Sequence, residues 1–293
     1  MTQATIGVIG GSGLYAMEGV SDLVEVQVDT PFGAPSDAVL IGRVDGVPVA
    51  FLPRHGRGHR VAPHEINYRA NIWALRSVGV RWLVSVSAVG SLREDVAPGD
   101  FVVVDQFVDR TRQRASSFFG EGIVAHVTFS DPVCGVARAR LLDACREVGV
   151  TTHDGGTYVC MEGPQFSTRA ESHLYRRWGA DVIGMTNLPE AKLAREAEIA
   201  YTTLAMATDY DCWHESGEEV SVEAVIAVLK ANAENAQRVL RAVVPKLVDA
   251  PPSPTWSALD HAIMTAPELV PAHRREALSL FISRLPQFKE TAP

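Results

Sequence analysis

The sequence lacks several features that would define its class at once. Its four cysteines are scattered without a CxxC spacing, which indicates neither a metal site nor a disulfide framework and fits a reducing cytoplasm. No signal peptide or membrane-spanning run is recognisable, so we expect no membrane contact. Basic residues are outnumbered, with 27 Lys and Arg against 35 Asp and Glu. Nucleic acid is therefore not an expected partner, and any phosphate must be bound by a local cluster.

The sequence does contain enough apolar residues for a large core, because 46% of its 293 residues are hydrophobic. Short β-branched runs bounded by Gly, Pro or charge alternate with amphipathic helical patterns, which predicts an α/β fold with a mixed central sheet. The predicted strands cover 5–9, 38–44, 47–52, 82–88, 101–104, 156–161, 182–185 and 201–208. The predicted helices cover 67–78, 137–148, 167–178, 189–198 and 222–249.

A proline cluster divides the sequence near residue 250. Pro251, Pro252 and Pro254 cannot continue the preceding helix. We therefore predict a main domain over 1–250 and a tail over 251–293. The tail is too small for a core of its own, so its helical segments should pack on the main domain or on a neighbouring subunit.

Two carboxylates follow the last predicted strand. Asp209 and Asp211 are two residues apart, so their side chains would share a face if the chain stayed extended. Like charges this close raise the proton affinity of one of the two groups. A solvated turn is the alternative interpretation of an isolated D-x-D pair.

A glycine cluster, Gly10-Gly11-Ser12-Gly13, follows the first predicted strand. Backbone N–H groups and the Ser12 hydroxyl would there cradle a phosphate. The stretch from Gly11 to Ala16 also matches a dinucleotide fingerprint, which leaves an NAD-dependent oxidoreductase open. The segment that follows is too short for the crossover helix of that fold, and a plain turn is a further alternative.

A basic cluster follows the strand predicted over 47–52 and contains Arg54, His55, Arg57, His59 and Arg60. Arginine offers a planar fork to an oxyanion and histidine a switchable donor, so the first two residues are the main candidates. The other three are equally explained as solvated side chains. An Arg-His-Gly motif is also found in histidine phosphatases, although there it follows the first strand.

Three further strand ends carry small or polar residues. The strand over 82–88 ends at Ser87 and Ala88, which would present a hydroxyl and an amide to an anion. Phe166 precedes a helix and offers a ring face to a flat ligand. The third strand end, at Met185 and Thr186, leads into a helix with Pro near its start. Packing alone is an alternative for Phe166 and for the first strand end.

Taken together and in order, these motifs resemble those of 5′-methylthioadenosine phosphorylases, bacterial members of the purine nucleoside phosphorylase family. The resemblance covers about residues 4–245, and its specificity lies in the combination. The motifs are Gly10-Gly11-Ser12-Gly13, Asp29-Thr30-Pro31-Phe32-Gly33, Arg54-His55-Gly56, Asn67-Tyr68-Arg69-Ala70-Asn71, Gly90-Ser91-Leu92, Asp105-Gln106-Phe107, Glu162-Gly163-Pro164-x-Phe166-Ser167, Gly184-Met185-Thr186 and Thr208-Asp209-Tyr210-Asp211-Cys212-Trp213.

The resemblance implies a three-layer nucleoside-phosphorylase fold with a helical C-terminal extension. It implies phosphorolysis of methylthioadenosine to adenine and 5-methylthioribose 1-phosphate, with phosphate as co-substrate and neither cofactor nor metal. A phosphorylase of broader or 6-oxopurine specificity and a non-catalytic nucleoside-binding protein stay open. Relatives acting on 6-oxopurines usually lack the aspartate pair, which favours an aminopurine.

The resemblance also implies a role for each site residue. Asp209 would donate a proton to N7 of the leaving adenine, supported by Asp211. His126 would reach the site of an adjacent subunit in a homo-oligomer, typically a trimer. The implied phosphate shell is Ser12, Arg54, His55, Ser87, the Ala88 amide and Thr186. The implied nucleoside contacts are Phe166 on the base with Ser167 close by, Met185 at the ribose, and Val222 and Val225 at the methylthio group.

Overall fold

The structure is a computed structural model that describes residues 3–11, 14, 19–214 and 222–289, without the side chains of 222–227 and 229. These residues contain eleven strands and seven α-helices. The strands are β1 (Ile6–Gly10), β2 (Val20–Val26), β3 (Val39–Val44), β4 (Val47–Pro53), β5 (Trp82–Ser91), β6 (Phe101–Val103), β7 (Gln106–Arg110), β8 (Thr152–Asp154), β9 (Thr157–Met161), β10 (Val182–Gly184) and β11 (Ala200–Asp209). The helices are α1 (Tyr68–Ser77), α2 (Gly135–Val148), α3 (Arg169–Arg177), α4 (Asn187–Glu196), α5 (Val222–Val248), α6 (Ala272–Ala277) and α7 (Ser279–Ile282).

All of these strands join one mixed sheet. At its centre β4, β1, β5 and β11 run parallel, and β1 and β11 are buried along nearly their whole length. Burial on both faces is typical of parallel strands covered by helices. On one side β3 pairs antiparallel with β4 and β2 pairs antiparallel with β3, and on the other side β10, β9 and β7 form a second parallel group.

The pairing of β5 determines where the strand ends meet. Its first residues pair in parallel with both β1 and β11, whereas Gly90 and Ser91 at its end pair antiparallel with β10. The carboxyl ends of β1, β4, β5 and β11 therefore lie at one edge of the sheet. The end of β10 runs back along the same edge.

Helices cover both faces of the sheet, which confirms the predicted three-layer α/β architecture. On one face α1 and α4 contribute Ile72, Leu75 and Leu193 to a core cluster. On the other face α2 and α5 contribute Leu141 and Val243 to a second cluster. Among the described residues, no helix has both the length and the apolar character required to cross a bilayer.

The tail packs into the first of these clusters. Leu259, Leu278, Phe281 and Leu285 are each at most 2% exposed and belong to the same core as α1 and α4. A division of the chain into domains near residue 250 stays a prediction.

Every strand and helix predicted from the sequence is present, with small shifts in its ends. The prediction missed β2, β7 and β8. These strands are short or largely exposed, so they carry no run of apolar residues long enough to indicate a strand.

Candidate active site

Two hydroxyl groups lie close together at the sheet edge where β10 pairs with the end of β5. Because Ile183 pairs antiparallel with Gly90, continuing the register brings Thr186 beside Ser87. Their Oγ atoms are 3.3 Å apart, and the Tyr158 hydroxyl lies 3.2 Å from Ser87 Oγ. Ser87 and Thr186 are both buried, so the surrounding fold fixes the positions of their two hydroxyl groups, each of which can donate one hydrogen bond.

Arg54 lies directly beneath this edge, at the end of β4. Its guanidinium forms a bidentate ion pair with Glu190, with N–O distances of 2.7 and 3.0 Å. It also donates to the Ile9 and Val86 carbonyls and to the Ser85 hydroxyl. The side chain therefore joins the end of β4 to β1 and β5, and its predicted phosphate contact stays a prediction.

His55 follows Arg54 and is held as a neutral ring. Its Nδ1 lies 2.8 Å from the Val61 carbonyl oxygen, and its ring stacks on His59 at a centroid distance of 4.2 Å. Burial lowers the pKa of His55 to about 4, and the charge of Arg54 adds to this effect. At neutral pH the Nδ1–H therefore donates to the carbonyl, which leaves Nε2 as a hydrogen-bond acceptor.

The aspartate pair is organised differently from the extended chain that the sequence predicts. β11 ends at Asp209, and Asp211 begins a 3-10 turn with a positive φ of 46°. Its backbone N–H donates to Asp209 Oδ1 at 2.8 Å, while Thr208 Oγ1 donates to Asp209 Oδ2 at 2.7 Å. Both aspartates still lie over Gly90, where any Cβ would be 3.1 Å from Asp209 Oδ1.

Asp211 is the more buried member of the pair and is 8% exposed. Burial raises its pKa, and the charge of Asp209 adds to the rise, as expected for two close carboxylates. Its Oδ2 is buried and has no partner of good hydrogen-bond geometry among the described residues, although the Ser172 hydroxyl and the Cys212 N–H lie close enough to the carboxylate to oppose the rise in its pKa. A buried acceptor without a donor is costly, so this oxygen is suited to a ligand that brings an N–H group.

One of the predicted nucleoside-contacting residues, Ser167, borders the aspartate turn. The Phe166 ring is 78% exposed, as a ring that stacks on a ligand would be. The next residue, Ser167, accepts a hydrogen bond from Cys212 Sγ through its carbonyl at 3.3 Å. Met185 packs on Gly163, because a Cβ there would lie 2.6 Å from its Sδ.

Four predicted residues are not brought into this cluster by the described contacts. Ser12 lies outside the described residues, as do the side chains of Val222 and Val225 at the start of α5. His126 is exposed, and its backbone N–H donates to the Ala262 carbonyl of the tail at 2.8 Å. Ala88, by contrast, is exposed within β5 directly beside Ser87.

Sequence reasoning missed three residues that organise the site, namely Glu190, Tyr158 and Arg114. Glu190 appears in the sequence as one more charged helix residue, yet it is fully buried. Tyr158 is likewise fully buried, and burial raises its pKa. Arg114 lies in a loop without any motif. The role of each of these residues becomes visible only from the residues that it contacts in the folded structure.

A three-layer α/β fold whose polar groups gather at the carboxyl ends of parallel strands defines a class of enzymes that act on small molecules. Residues 5–245 match the Phosphorylase superfamily, and the chain belongs to this family.

Individual relatives agree with this assignment over nearly the full chain. The chain is 57% identical to S-methyl-5′-thioadenosine phosphorylase of Geobacter sulfurreducens, over 96% of the chain and 98% of that protein. It is 58% identical to the protein of the same name from Koribacter versatilis, over 96% and 97% respectively. The resemblance found in the sequence motifs is thereby confirmed.

Solved structures give the same result. A methylthioadenosine phosphorylase sourced from an antarctic soil metagenomic library superposes with a TM-score of 0.93 at 50% identity, covering 96% of this chain and all of that one. The Schistosoma mansoni enzyme in complex with adenine superposes with a TM-score of 0.79 at 37% identity, covering 83% and 91%. These relationships favour a phosphorylase over the histidine phosphatase and NAD-dependent alternatives.

Proposed function

We propose that the chain catalyses the phosphorolysis of 5′-methylthioadenosine, which yields adenine and 5-methylthioribose 1-phosphate. Support comes from relatives of that name at 57% and 58% identity across nearly the whole chain. Inorganic phosphate is the co-substrate, and the proposal includes no cofactor and no metal. Four unpaired cysteines are compatible with a reducing cytoplasm, where we place the enzyme.

The hydroxyl groups of Ser87 and Thr186 and the residues around them would bind the phosphate. A phosphate oxygen attacks C1′ while the bond from C1′ to N9 breaks and its electrons pass to the purine. Ser87 and Thr186 would donate to the phosphate, with Arg54, His55, the Ala88 amide and Ser12 completing the shell. Donors fixed before the substrate arrives need no reorganisation during the reaction, which favours the transition state.

The purine half of the reaction falls to the aspartate pair. The observation that carries this assignment is the buried, unpartnered Oδ2 of Asp211 beside Asp209. A 6-amino group supplies the donor that this oxygen lacks, whereas a 6-oxo group would place an acceptor there. Asp209, when protonated, would donate to N7 and so neutralise charge on the leaving base.

The sugar and the methylthio group would occupy the space between these halves. Phe166 would stack on the base beside Ser167, and Met185 would lie against the ribose. An apolar methylthio group requires a hydrocarbon lining, for which Val222 and Val225 are the candidates.

The reaction is tested by incubating the purified full-length protein with methylthioadenosine, with and without phosphate, and measuring adenine. We expect adenine and 5-methylthioribose 1-phosphate only when phosphate is present. Absence of phosphate-dependent adenine release would contradict the proposal. Release of free phosphate from a phosphoenzyme would instead indicate a histidine phosphatase. Binding of methylthioadenosine without any conversion would indicate a non-catalytic binding protein.

The role of Asp209 is tested by Asp209→Asn with methylthioadenosine, methylthioinosine, adenosine and inosine as substrates. We expect kcat/KM for the 6-amino substrates to fall by about 10² to 10⁴, the range for general acid catalysis. The 6-oxo substrates should lose much less, because an asparagine amide can donate to a 6-oxo group. An equal loss on all four substrates would refute a base-reading role.

We also propose that the protein forms a homo-oligomer, a trimer by the family resemblance, in which His126 reaches the neighbouring site. Two apolar side chains exposed near His126 support this, namely Val124 and Met264. Light scattering would report the number of subunits. Mixing Asp209→Asn with His126→Ala subunits should restore activity if the two residues act across an interface, and no restoration after subunit exchange would contradict the shared site.

A further inference from the structure

Arg114 connects three segments around the site, although no motif includes it. Its side chain is 1% exposed. Its Nη1 donates to the backbone carbonyls of Met185 and Leu188 at 2.6 and 2.7 Å, and Nη2 donates to the Glu162 carbonyl at 2.5 Å. Nη1 also lies 2.9 Å from the hydroxyl of Tyr68 on α1. One guanidinium thus joins the loops that follow β9 and β10 to helix α1.

The Glu162 carboxylate fixes Arg114 in return. Oε1 accepts from Nε of Arg114 at 3.1 Å, and Oε2 accepts from the backbone N–H groups of Arg112 and Gln113. Although burial opposes ionisation, these donors together hold the pKa of Glu162 below its usual value. The carboxylate is therefore ionised at neutral pH, and the 112–114 loop and the turn after β9 hold each other in place.

The position of these bonds connects Arg114 to both halves of the site. Met185 and Leu188 flank Thr186, whose hydroxyl lies 3.3 Å from that of Ser87. The segment that carries the ribose-facing methionine and the phosphate-facing threonine is therefore held at both ends by one guanidinium. A lysine could not replace these contacts, because an ammonium is a point charge without a planar fork.

We propose that Arg114 is a positioning residue that holds the 185–188 segment in its substrate-binding geometry. It acts through Met185 and Thr186 and touches neither substrate. The inference rests on the proposed function, because it specifies what fixes the nucleoside and phosphate contacts of that reaction.

The test measures steady-state kinetics of the full-length enzyme with Arg114→Lys and Arg114→Ala, varying methylthioadenosine and phosphate separately. We expect the KM values for both substrates to rise about tenfold or more, the effect of losing one charge-assisted hydrogen bond. Arg146→Lys is the matched control, because Arg146 is 66% exposed on α2 and its substitution should leave both KM values unchanged. A variant that merely contains less folded protein would show a lower kcat with unchanged KM values.

Chemical rescue separates positioning from packing. Guanidinium chloride at a non-denaturing concentration should lower both KM values of Arg114→Ala, because the free ion can occupy the vacated site. If Arg114→Ala does not fold, Arg114→Lys carries the same KM comparison. Wild-type KM values in the folded variants would overturn the inference alone, whereas a wild-type protein that releases no adenine would overturn the proposed function instead.

Discussion

Opposite charges meet in the buried centre of the molecule, where Arg54 and Glu190 are 2% and 0% exposed. The Tyr201 hydroxyl also donates to Glu190 Oε1 at 2.8 Å, so every oxygen of the carboxylate has a donor. Removing one partner of such a pair typically costs about 3–5 kcal/mol, because the other charge is left buried. At the scale of the residue, Glu190 thus fixes the direction of the Arg54 guanidinium, for which the sequence indicated no carboxylate partner.

Glu196 is a second buried carboxylate, but among the described residues it has no cationic partner. It accepts from the Phe118 N–H at 2.7 Å and the Ser117 hydroxyl at 2.8 Å. Burial raises its pKa from 4.5 to about 7 in spite of these two bonds. The folded state therefore binds the proton more tightly than the unfolded state, and this stabilisation is lost as the pH rises toward 7.

We predict that Glu196→Gln removes this pH dependence, since an amide does not titrate. The free energy of unfolding of the variant, relative to wild type, should increase by about 1–3 kcal/mol between about pH 5 and pH 8. Urea unfolding at the two pH values measures the difference. Glu234→Gln on the exposed face of α5 is the control, and a relative stability of Glu196→Gln that is the same at both pH values would refute the prediction.

At the scale of the element, the site depends on how closely β9 and β10 approach one another. β10 runs parallel to β9 with Gly184 paired to Cys160, and a Cβ on Gly184 would collide with the Tyr158 hydroxyl. That hydroxyl lies 3.2 Å from Ser87 Oγ. The absence of a side chain at residue 184 therefore allows the Tyr158 hydroxyl to lie against Ser87.

We predict that Gly184→Ala displaces Tyr158 and with it Ser87. Overpacking of this kind typically costs about 1–3 kcal/mol of stability, and the KM for phosphate should rise more than the KM for methylthioadenosine. Gly135→Ala is the matched control, because a Cβ on Gly135 meets no atom within 4 Å at the start of α2. Thermal unfolding and initial rates provide both readouts, and equal behaviour of the two variants would contradict the argument.

Secondary structure was predictable where the pattern of apolar residues is strong. The prediction failed where only hydrogen bonding to a neighbouring strand makes a segment a strand. β11 is an apolar run buried along its length, so the sequence indicated it directly. β2 is almost wholly exposed and is a strand only because β3 pairs with it. The extended chain predicted through Asp211 was wrong for a similar reason, because the positive φ of this residue accompanies a hydrogen bond to the Asp209 side chain.

At the scale of the whole molecule, the site is assembled from residues far apart in the chain. Ser87 and Thr186 are 99 residues apart, and Arg54 and Glu190 are 136 apart. Motifs predicted candidate site residues one strand end at a time, because the chemistry of each strand end is visible in the sequence, and the roles of these residues stay predictions. Partners such as Glu190 and Tyr158 could not be predicted, because their roles depend on the order of strands in the sheet.

The tail belongs to the same packed unit as the rest of the fold. Phe281 is 2% exposed and packs on Phe118 at a ring-centroid distance of 4.8 Å, and Phe118 packs in turn on Phe32 at 5.1 Å. Arg284 bonds to the buried Glu198 at the end of α4, joining the tail to the main domain a second time. Tail and main domain should therefore unfold together, although the proline break separates them in sequence.

We predict that Phe281→Ala lowers the stability of the entire molecule by about 3–5 kcal/mol, the usual cost of removing a buried ring. Val248→Ala, at a residue 55% exposed, should change the stability by less than about 0.5 kcal/mol. Circular dichroism reports the helices and strands, and phosphorolysis reports the site. If the tail is part of one cooperative unit, both signals shift together to a lower temperature in a single transition. An independent appendage would instead give an early transition from the tail alone and leave the loss of activity at its wild-type temperature.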